Sequence, residues 1–358
     1  MNEPGHGRHA SATAGIDNHV DPTMQPIAAV DLGTNNCRLL VARPDADSLT
    51  IVDSYSRIVR LGEGLGRTGT LSEAAMMRAI HALRTCARII ARHDVAQARC
   101  VATEACRRAR NGTAFVERAQ LASGLSLDVL DHEEEARLAL LGCLSLADPR
   151  YAQVLMMDVG GGSTELAWLE RGGPKGYQLA SLSLQIGVVT LAEQFGADPD
   201  DDGYRAMQEV VWAALDRHPG SETMLARVRP DDLQGIGTSG TVTTLAAMHL
   251  HLARYDRSQV DGIWLPPDAL AQAAKELRAM DTARRAVHPC IGPGRADLVV
   301  AGSAIVEALW ARLPFTKLRV ADRGLREGIL ATLVGERLET AVERHLAGAV
   351  PDALPALS

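Results

Sequence analysis

From Ile27 onward the chain alternates short apolar runs with turn residues. The first run, IAAVDLG, reads as a buried strand closed by glycine. RLLVARP follows as a second strand ended at Pro44, and LTIVDSYSRIVRLG carries a third, rich in β-branched residues. LSEAAMMRAIHALRTCARIIARH has the apolar spacing of an amphipathic helix, with Ser72 placed to cap it. ARCVATEA reads as a short strand and GTAFVERAQLASG as a helix stopped by glycine. LSLDVLD is a strand, and HEEEARLALLGCLSLA a helix whose acidic first turn suits the helix dipole. Further on, VLMMDVGG and STELAWLE read as two more strands, with Met156 and Met157 in the strand core. DDLQGIGTSGTVTTLAAMHL reads as strand, glycine-rich turn and helix, and RADLVVAGSAIVEALWARL as helix. KLRVADRGLREGILATLVGERLETAVERHL reads as strand, turn and one long final helix.

Two of these stretches repeat one pattern. VDLGTNNCRLLVA and MDVGGGSTELAWL each run strand, aspartate, glycine turn, strand. Asp31 matches Asp158, Gly33 matches Gly160 and Leu39 matches Leu166. The shared context predicts an internal duplication. No low-complexity linker interrupts residues 27 to 337, so the boundary falls inside a regular element, near the helix starting at Glu133. We assign residues 26–138 to a first unit and 139–337 to a second, whose final helix packs back on the first. Residues 338–358 are the helix end and a tail. Residues 1–25 are polar and small, without the apolar core of a secretory signal, and read as a disordered extension.

Composition narrows the function. Hydrophobic residues make up 46% of 358, enough for two buried cores. The net charge of −7 argues against a nucleic-acid binder while allowing a local basic cleft. Six cysteines show no C-x-x-C pair or zinc spacing, which suits small buried thiols and a cytoplasmic protein. No run reaches the roughly 20 apolar residues that span a bilayer.

The glycine turns are where the chemistry collects. A turn between strands offers backbone N–H groups with few side chains in the way, and glycines let them converge on an anion. Ser163 and Thr164 add hydroxyl donors. Asp158, at the strand end beside them, would repel a phosphate unless a divalent cation stood between. Two Asp–x–Gly turns together with GIGTSGT point to phosphate. In the third turn, N–H groups and the hydroxyls of Thr238, Ser239 and Thr241, with Gly240, open a helix. Within Glu133–Glu134–Glu135, Glu133 and Arg137 are four apart and can pair. Glu135 shares its face with Ala139 and Gly142, which admit close approach; Glu134 is the fallback. The run also reads as an ordinary acidic first turn. His93, His132 and His288 are lone histidines without an evident partner, and Arg38 reads as structural.

The paired turns resemble the phosphate motifs of the actin, sugar kinase and heat-shock ATPase superfamily. The finer resemblance is to the exopolyphosphatase and guanosine pentaphosphate phosphohydrolase family. It is carried by VRLGEGL, VATEACRRARNG, EEEARL, DVGGGSTEL, GTSGTVTTLA, RADLVVAG and DRGLREGIL, in the family's order from Ile27 to Val334. The resemblance implies an α/β protein of two ribonuclease-H-like (actin-like ATPase) domains related by duplication, with the turns facing an interdomain cleft. It implies hydrolysis of terminal phosphoanhydrides with Mg2+ or another divalent cation. Inorganic polyphosphate is the first expected substrate and guanosine pentaphosphate the second; a sensor that binds guanosine tetra- or pentaphosphate is the non-enzymatic rival. A homodimer is implied, and neither nucleic acid nor membrane is an expected partner.

By the same resemblance Glu135 is the catalytic glutamate, and Asp158 and Glu165 belong to the metal and water site. Asp31 is the duplicate of Asp158 in the first turn. The family's Ser-Gly is replaced by Asp131 and His132. Arg107 matches the phosphate-contacting arginine, whose planar fork suits phosphate, while Arg108 and Arg110 read as a solvated face. The phosphate-binding set is then Gly33, Thr34, Asn35, Asn36, Arg107, Gly160, Gly161, Gly162, Ser163, Thr164, Thr238, Ser239, Gly240 and Thr241. Arg295 and Arg326 stand in matched blocks without an assigned contact.

Overall fold

A computed structural model describes residues 25–45, 48–172 and 176–346. The expected N-terminal extension and the C-terminal tail lie outside the described residues. Among the described residues, eleven strands build two sheets. The first contains β1 (Ile27–Leu32), β2 (Asn36–Pro44), β3 (Leu49–Ile58), β4 (Gln97–Ala102) and β5 (Leu127–Val129), in the order β3-β2-β1-β4-β5. The second contains β6 (Gln153–Val159), β7 (Thr164–Arg171), β8 (Tyr177–Leu184), β9 (Leu233–Thr238), β10 (Trp264–Leu265) and β11 (Leu318–Ala321), in the order β10-β11-β9-β6-β7-β8.

The two sheets repeat one topology. In each, three antiparallel strands are joined in sequence, and a parallel strand then pairs with the first of them. The repeat extends to register: Asp31 stands opposite Arg38 on β2, and Asp158 opposite Glu165 on β7. It extends to the turns, where Gly33 N donates to Asn36 O at 2.9 Å and Gly160 N to Ser163 O at 3.0 Å. The chain is therefore two ribonuclease-H-like units related by duplication, as the paired motifs imply.

Strand alternation explains the layers. Met156 faces a core with the helix His132–Cys143, while Met157 faces the larger core of the second sheet with Trp168 and Leu245. The helix His132–Cys143 lies between the sheets. Ala136, Ala139 and Leu140 join Met156, Ala167 and Ile236. Leu138 joins Ile27, Ala29 and Leu40 of the first sheet, together with Ile329 and Leu330 of the helix Leu325–Leu333. These two helices cross in near backbone contact: a Cβ on Gly142 would stand 2.0 Å from Gly324 O, and one on Gly328 1.8 Å from Leu138 O.

Ser72 caps the helix Glu73–Arg92 by accepting from Ala75 N, as its position predicts. Three features differ from the sequence reading. The long final helix is two helices, Leu325–Leu333 and Leu338–Leu346, broken at Gly335 with φ +81°. Glu133 does not hold Arg137; Glu134 does, Nε donating at 2.7 Å and Nη2 at 3.0 Å, the i,i+3 position being as near a neighbour on the helix surface as i,i+4. The helices Val188–Phe195 and Asp201–Arg217, with β8, fill the stretch between STELAWLE and DDLQGIG, for which the sequence reading names no element.

Candidate active site

The two duplicated turns touch. A Cβ on Gly161 would lie 3.0 Å from Thr34 Cβ, and one on Gly162 would lie 2.8 Å from Thr34 Oγ1. Only glycine permits this approach. Each turn is also fastened from behind. Asn35 O accepts from Val59 N and Arg60 N, and Thr34 O from Gly62 N; Gly160 O and Gly161 O accept from Val188 N and Val189 N. The turns open on a cleft of about 500 Å³. Gly33, Thr34, Asn35 and Asn36 line it from the first turn, Gly160 to Ser163 from the second, and Thr238 to Thr241 from the third.

Three of the hydroxyls expected on phosphate are already engaged within the protein. Thr164 is fully buried, its hydroxyl donates to Ile186 O at 2.7 Å, and it does not line the cleft. As the first residue of β7 it faces away from the turn. Thr238 Oγ1 donates to Arg323 O at 2.6 Å. Ser239 Oγ accepts from Thr241 N and Val242 N, capping the helix Gly240–His249 from a residue with φ +127°. A serine in that backbone region marks local strain beside the cleft.

Asp31, Glu135, Asp158 and Glu165 all line the cleft. Burial pushes each carboxyl up. Asp158 reaches about 6, opposed by Arg38 and reinforced by Asp31. Glu135 reaches about 8, opposed by Arg107. Glu165 is pushed well above its ordinary value by burial and then by Glu135 and Asp158, although Ser183 Oγ donates to it at 3.1 Å. Asp31 also rises through burial, against the pull of Arg38 and Arg326. Desolvated carboxylates facing one another favour their protons.

The arginines sort differently from the sequence expectation. Arg107 is not among the residues that line the cleft and is held by carboxylates: Nη1 donates to Glu135 Oε2 at 3.0 Å, and Nη2 to Glu104 Oε2 at 2.9 Å. It stands behind the carboxylates that line the cleft, because the short helix Glu104–Arg108 places it one turn from Glu104. Arg38, read as structural, lines the cleft instead, as do Arg295 and Arg326. Arg38 and Arg326 make no side-chain hydrogen bond or ion pair with a described residue. Burial pushes Arg295 and Arg326 below their ordinary value, yet a guanidinium keeps its charge. Arg257 and Arg323 also line the cleft but pair with Glu327 and Asp261.

Two site residues escaped the sequence reading. Glu104 is buried and lines the cleft; its signal was the opposite charge three residues before Arg107. His132 is not without a partner: its Nδ1 lies 2.9 Å from Arg107 Nη2. Its signal was the same three-residue spacing to Glu135. His93 also has a partner, Asp53 Oδ2 at 2.8 Å.

Among the described residues, His132, Glu135 and Glu165 bring one ligand atom each within 4.8 Å of one another; the expected set Asp31, Asp158 and Glu165 does not converge in this way. The lining fits a hard divalent cation. Buried carboxylates pushed toward their protonated forms are the groups that such a charge returns to the ionised state.

Known proteins show the same architecture. A family profile described as the Ppx/GppA phosphatase family matches residues 40–337. Exopolyphosphatase 2 of Mycobacterium tuberculosis is 32% identical over 325 residues, covering 86% of this chain and 98% of that one. Among solved structures, the Aquifex aeolicus Ppx/GppA family member is 29% identical with a TM-score of 0.70, covering 87% of this chain and 97% of that one. An exopolyphosphatase from Cytophaga hutchinsonii is 26% identical with a TM-score of 0.77, covering 87% and 98%. No helix among the described residues is long and apolar enough to cross a membrane. Matching motifs, a duplicated actin-like fold and this coverage establish that the chain belongs to the Ppx/GppA phosphatase family.

Proposed function

We propose that the protein is an exopolyphosphatase, releasing terminal orthophosphate from inorganic polyphosphate. The observation that carries this reading is the contact between the two glycine turns, beside Glu135 and the unpaired arginines Arg38 and Arg326 in one cleft. The relatives described as exopolyphosphatases support it.

The chain's own residues divide the work. Backbone N–H groups of the first and second turns, with Ser163, bind the oxygens of successive phosphates. Arg38, Arg295 and Arg326 offset their charge. Glu135 orients a water toward the terminal phosphorus and accepts its proton as the oxygen–phosphorus bond forms and the bridging bond breaks. A carboxyl pushed up to about 8 lies near working pH, which suits a base that must also bind the proton it takes. Glu165, whose carboxylate converges with that of Glu135 and the ring of His132, would hold Mg2+ or another divalent cation, with Asp158 lining the same cleft. When bound, that ion neutralises phosphoryl oxygens.

The test measures orthophosphate release from polyphosphate and from guanosine pentaphosphate, with and without Mg2+. We expect Mg2+-dependent release from polyphosphate, and a loss of about 1,000-fold in Glu135→Gln while polyphosphate still binds. Release from guanosine pentaphosphate alone would move the assignment to that substrate. Binding without release from either would make the protein a sensor.

A further inference from the structure

Glu104 has no place in the mechanism above, yet its setting is unusual for a carboxylate. It is 3% exposed and lines the cleft. A carboxylate so far from water needs compensation. Its Oε2 has Arg107 Nη2 at 2.9 Å; its Oε1 is buried with no partner. Its stem lies on the second turn, with Cγ 3.1 Å from where a Cβ on Gly162 would stand.

Arg107 extends from that anchor to the catalytic glutamate. Nη2 also meets His132 Nδ1 at 2.9 Å, while Nη1 donates to Glu135 Oε2 at 3.0 Å and to the carbonyl of Leu130. A guanidinium is a rigid planar fork, so fixing one Nη fixes the direction of the other. Facing Glu135 alone, Arg107 would close on it with both arms in the bidentate geometry that carboxylates favour. Shared between two carboxylates, it holds Glu135 by Oε2 only. No described side chain donates to Glu135 Oε1.

Resting on the reading that Glu135 orients the attacking water, we propose that Glu104 is a positioning residue for hydrolysis. It anchors Arg107 so that Glu135 keeps one oxygen free for water, and its contact with Gly162 ties that geometry to the phosphate turn. Nothing in this role touches substrate, so its effect falls on turnover rather than on binding.

The experiment compares kcat and KM on polyphosphate for Glu104→Ala, Glu104→Asp, Glu104→Gln, Glu135→Gln and the double variant Glu104→Ala/Glu135→Gln. We expect Glu104→Ala to lower kcat about 30-fold with KM within about 3-fold of wild type. Glu104→Asp, which withdraws the carboxylate by one methylene, should lose kcat in the same way and guards against a misfolded alanine variant. Glu104→Gln keeps an oxygen for Arg107 Nη2 and should recover most of the lost kcat. In the Glu135→Gln background, Glu104→Ala should remove less than about 2-fold more, because its effect passes through Glu135. Wild-type kcat in both Glu104→Ala and Glu104→Asp, beside an impaired Glu135→Gln, overturns the proposal alone. So does a 30-fold loss that persists undiminished in the Glu135→Gln background. Full turnover by Glu135→Gln overturns the underlying reading of Glu135 and this proposal with it.

Discussion

At the scale of single residues, the cleft keeps acid groups where water cannot fully solvate them. Glu135 is pushed up to about 8 and Asp158 to about 6, chiefly by burial. Such groups bind protons more tightly in the native state than in the unfolded chain. Their contribution to stability is fully present below the ordinary carboxylate range and is lost as pH rises through the folded values. For the metal-free protein we expect the melting temperature to fall between about pH 4.5 and 8, read by thermal denaturation across that range. Asp158→Asn removes one of the titrating groups and should flatten the slope. A melting temperature that holds steady or climbs over the same interval would contradict the burial of these carboxyls.

Among the elements, the crossing of the helices His132–Cys143 and Leu325–Leu333 fixes the site most directly. One carries Glu135 and Arg137, the other Arg326 and Glu327, and both are anchored on the first sheet through Leu138, Ile329 and Leu330. At the crossing the neighbouring backbone occupies the space a side chain would need, so no flexible group can yield. Gly142→Ala or Gly328→Ala should destabilise the protein by about 3 kcal/mol, the upper range for overpacking, measured by urea denaturation. The helix start is set by Asp131, which accepts from Glu134 N at 2.8 Å. Asp131→Ala should cost about 1 kcal/mol, as caps usually do. A larger loss of activity than of stability would show that the cap also aims Glu135.

For the whole molecule, duplication followed by divergence changes the charge at a matched position, and the proposed function assigns binding to one copy's residue there and chemistry to the other's. The position opposite the turn aspartate is Arg38 in the first copy and Glu165 in the second. The two copies thereby put opposite charges at one matched position of the cleft lining. Arg38→Ala should raise KM for polyphosphate about 10-fold with a smaller change in kcat, while Asp158→Asn should lower kcat with KM nearly kept. Steady-state kinetics on the two variants checks this, and identical effects would argue against a division of labour. The halves also meet outside the turns. Arg60 pairs with Asp297 at 2.7 Å, and Gly64 N donates to Glu193 at 2.7 Å. Both contacts are partly exposed, so they add little to stability.

Much of this was legible in the linear chain. Local rules place most strands and helices, because apolar period, caps and glycine stops act over a few residues. The repeated Asp–x–Gly pattern carried the duplicated fold, and the motif blocks carried the family. Thr34 against Gly161 and Gly162 was foreshadowed by the glycines, since a turn without side chains invites close approach. The fate of each polar side chain was not legible. Arg107 was expected on phosphate and is held by Glu104 and Glu135; Arg38 was expected to be structural and lines the cleft; Thr164 was expected in the site and bonds Ile186. A charged or hydroxyl group takes whichever partner the fold brings within about 3 Å. Here those partners come from segments far apart in sequence, so only the assembled tertiary structure decided between them.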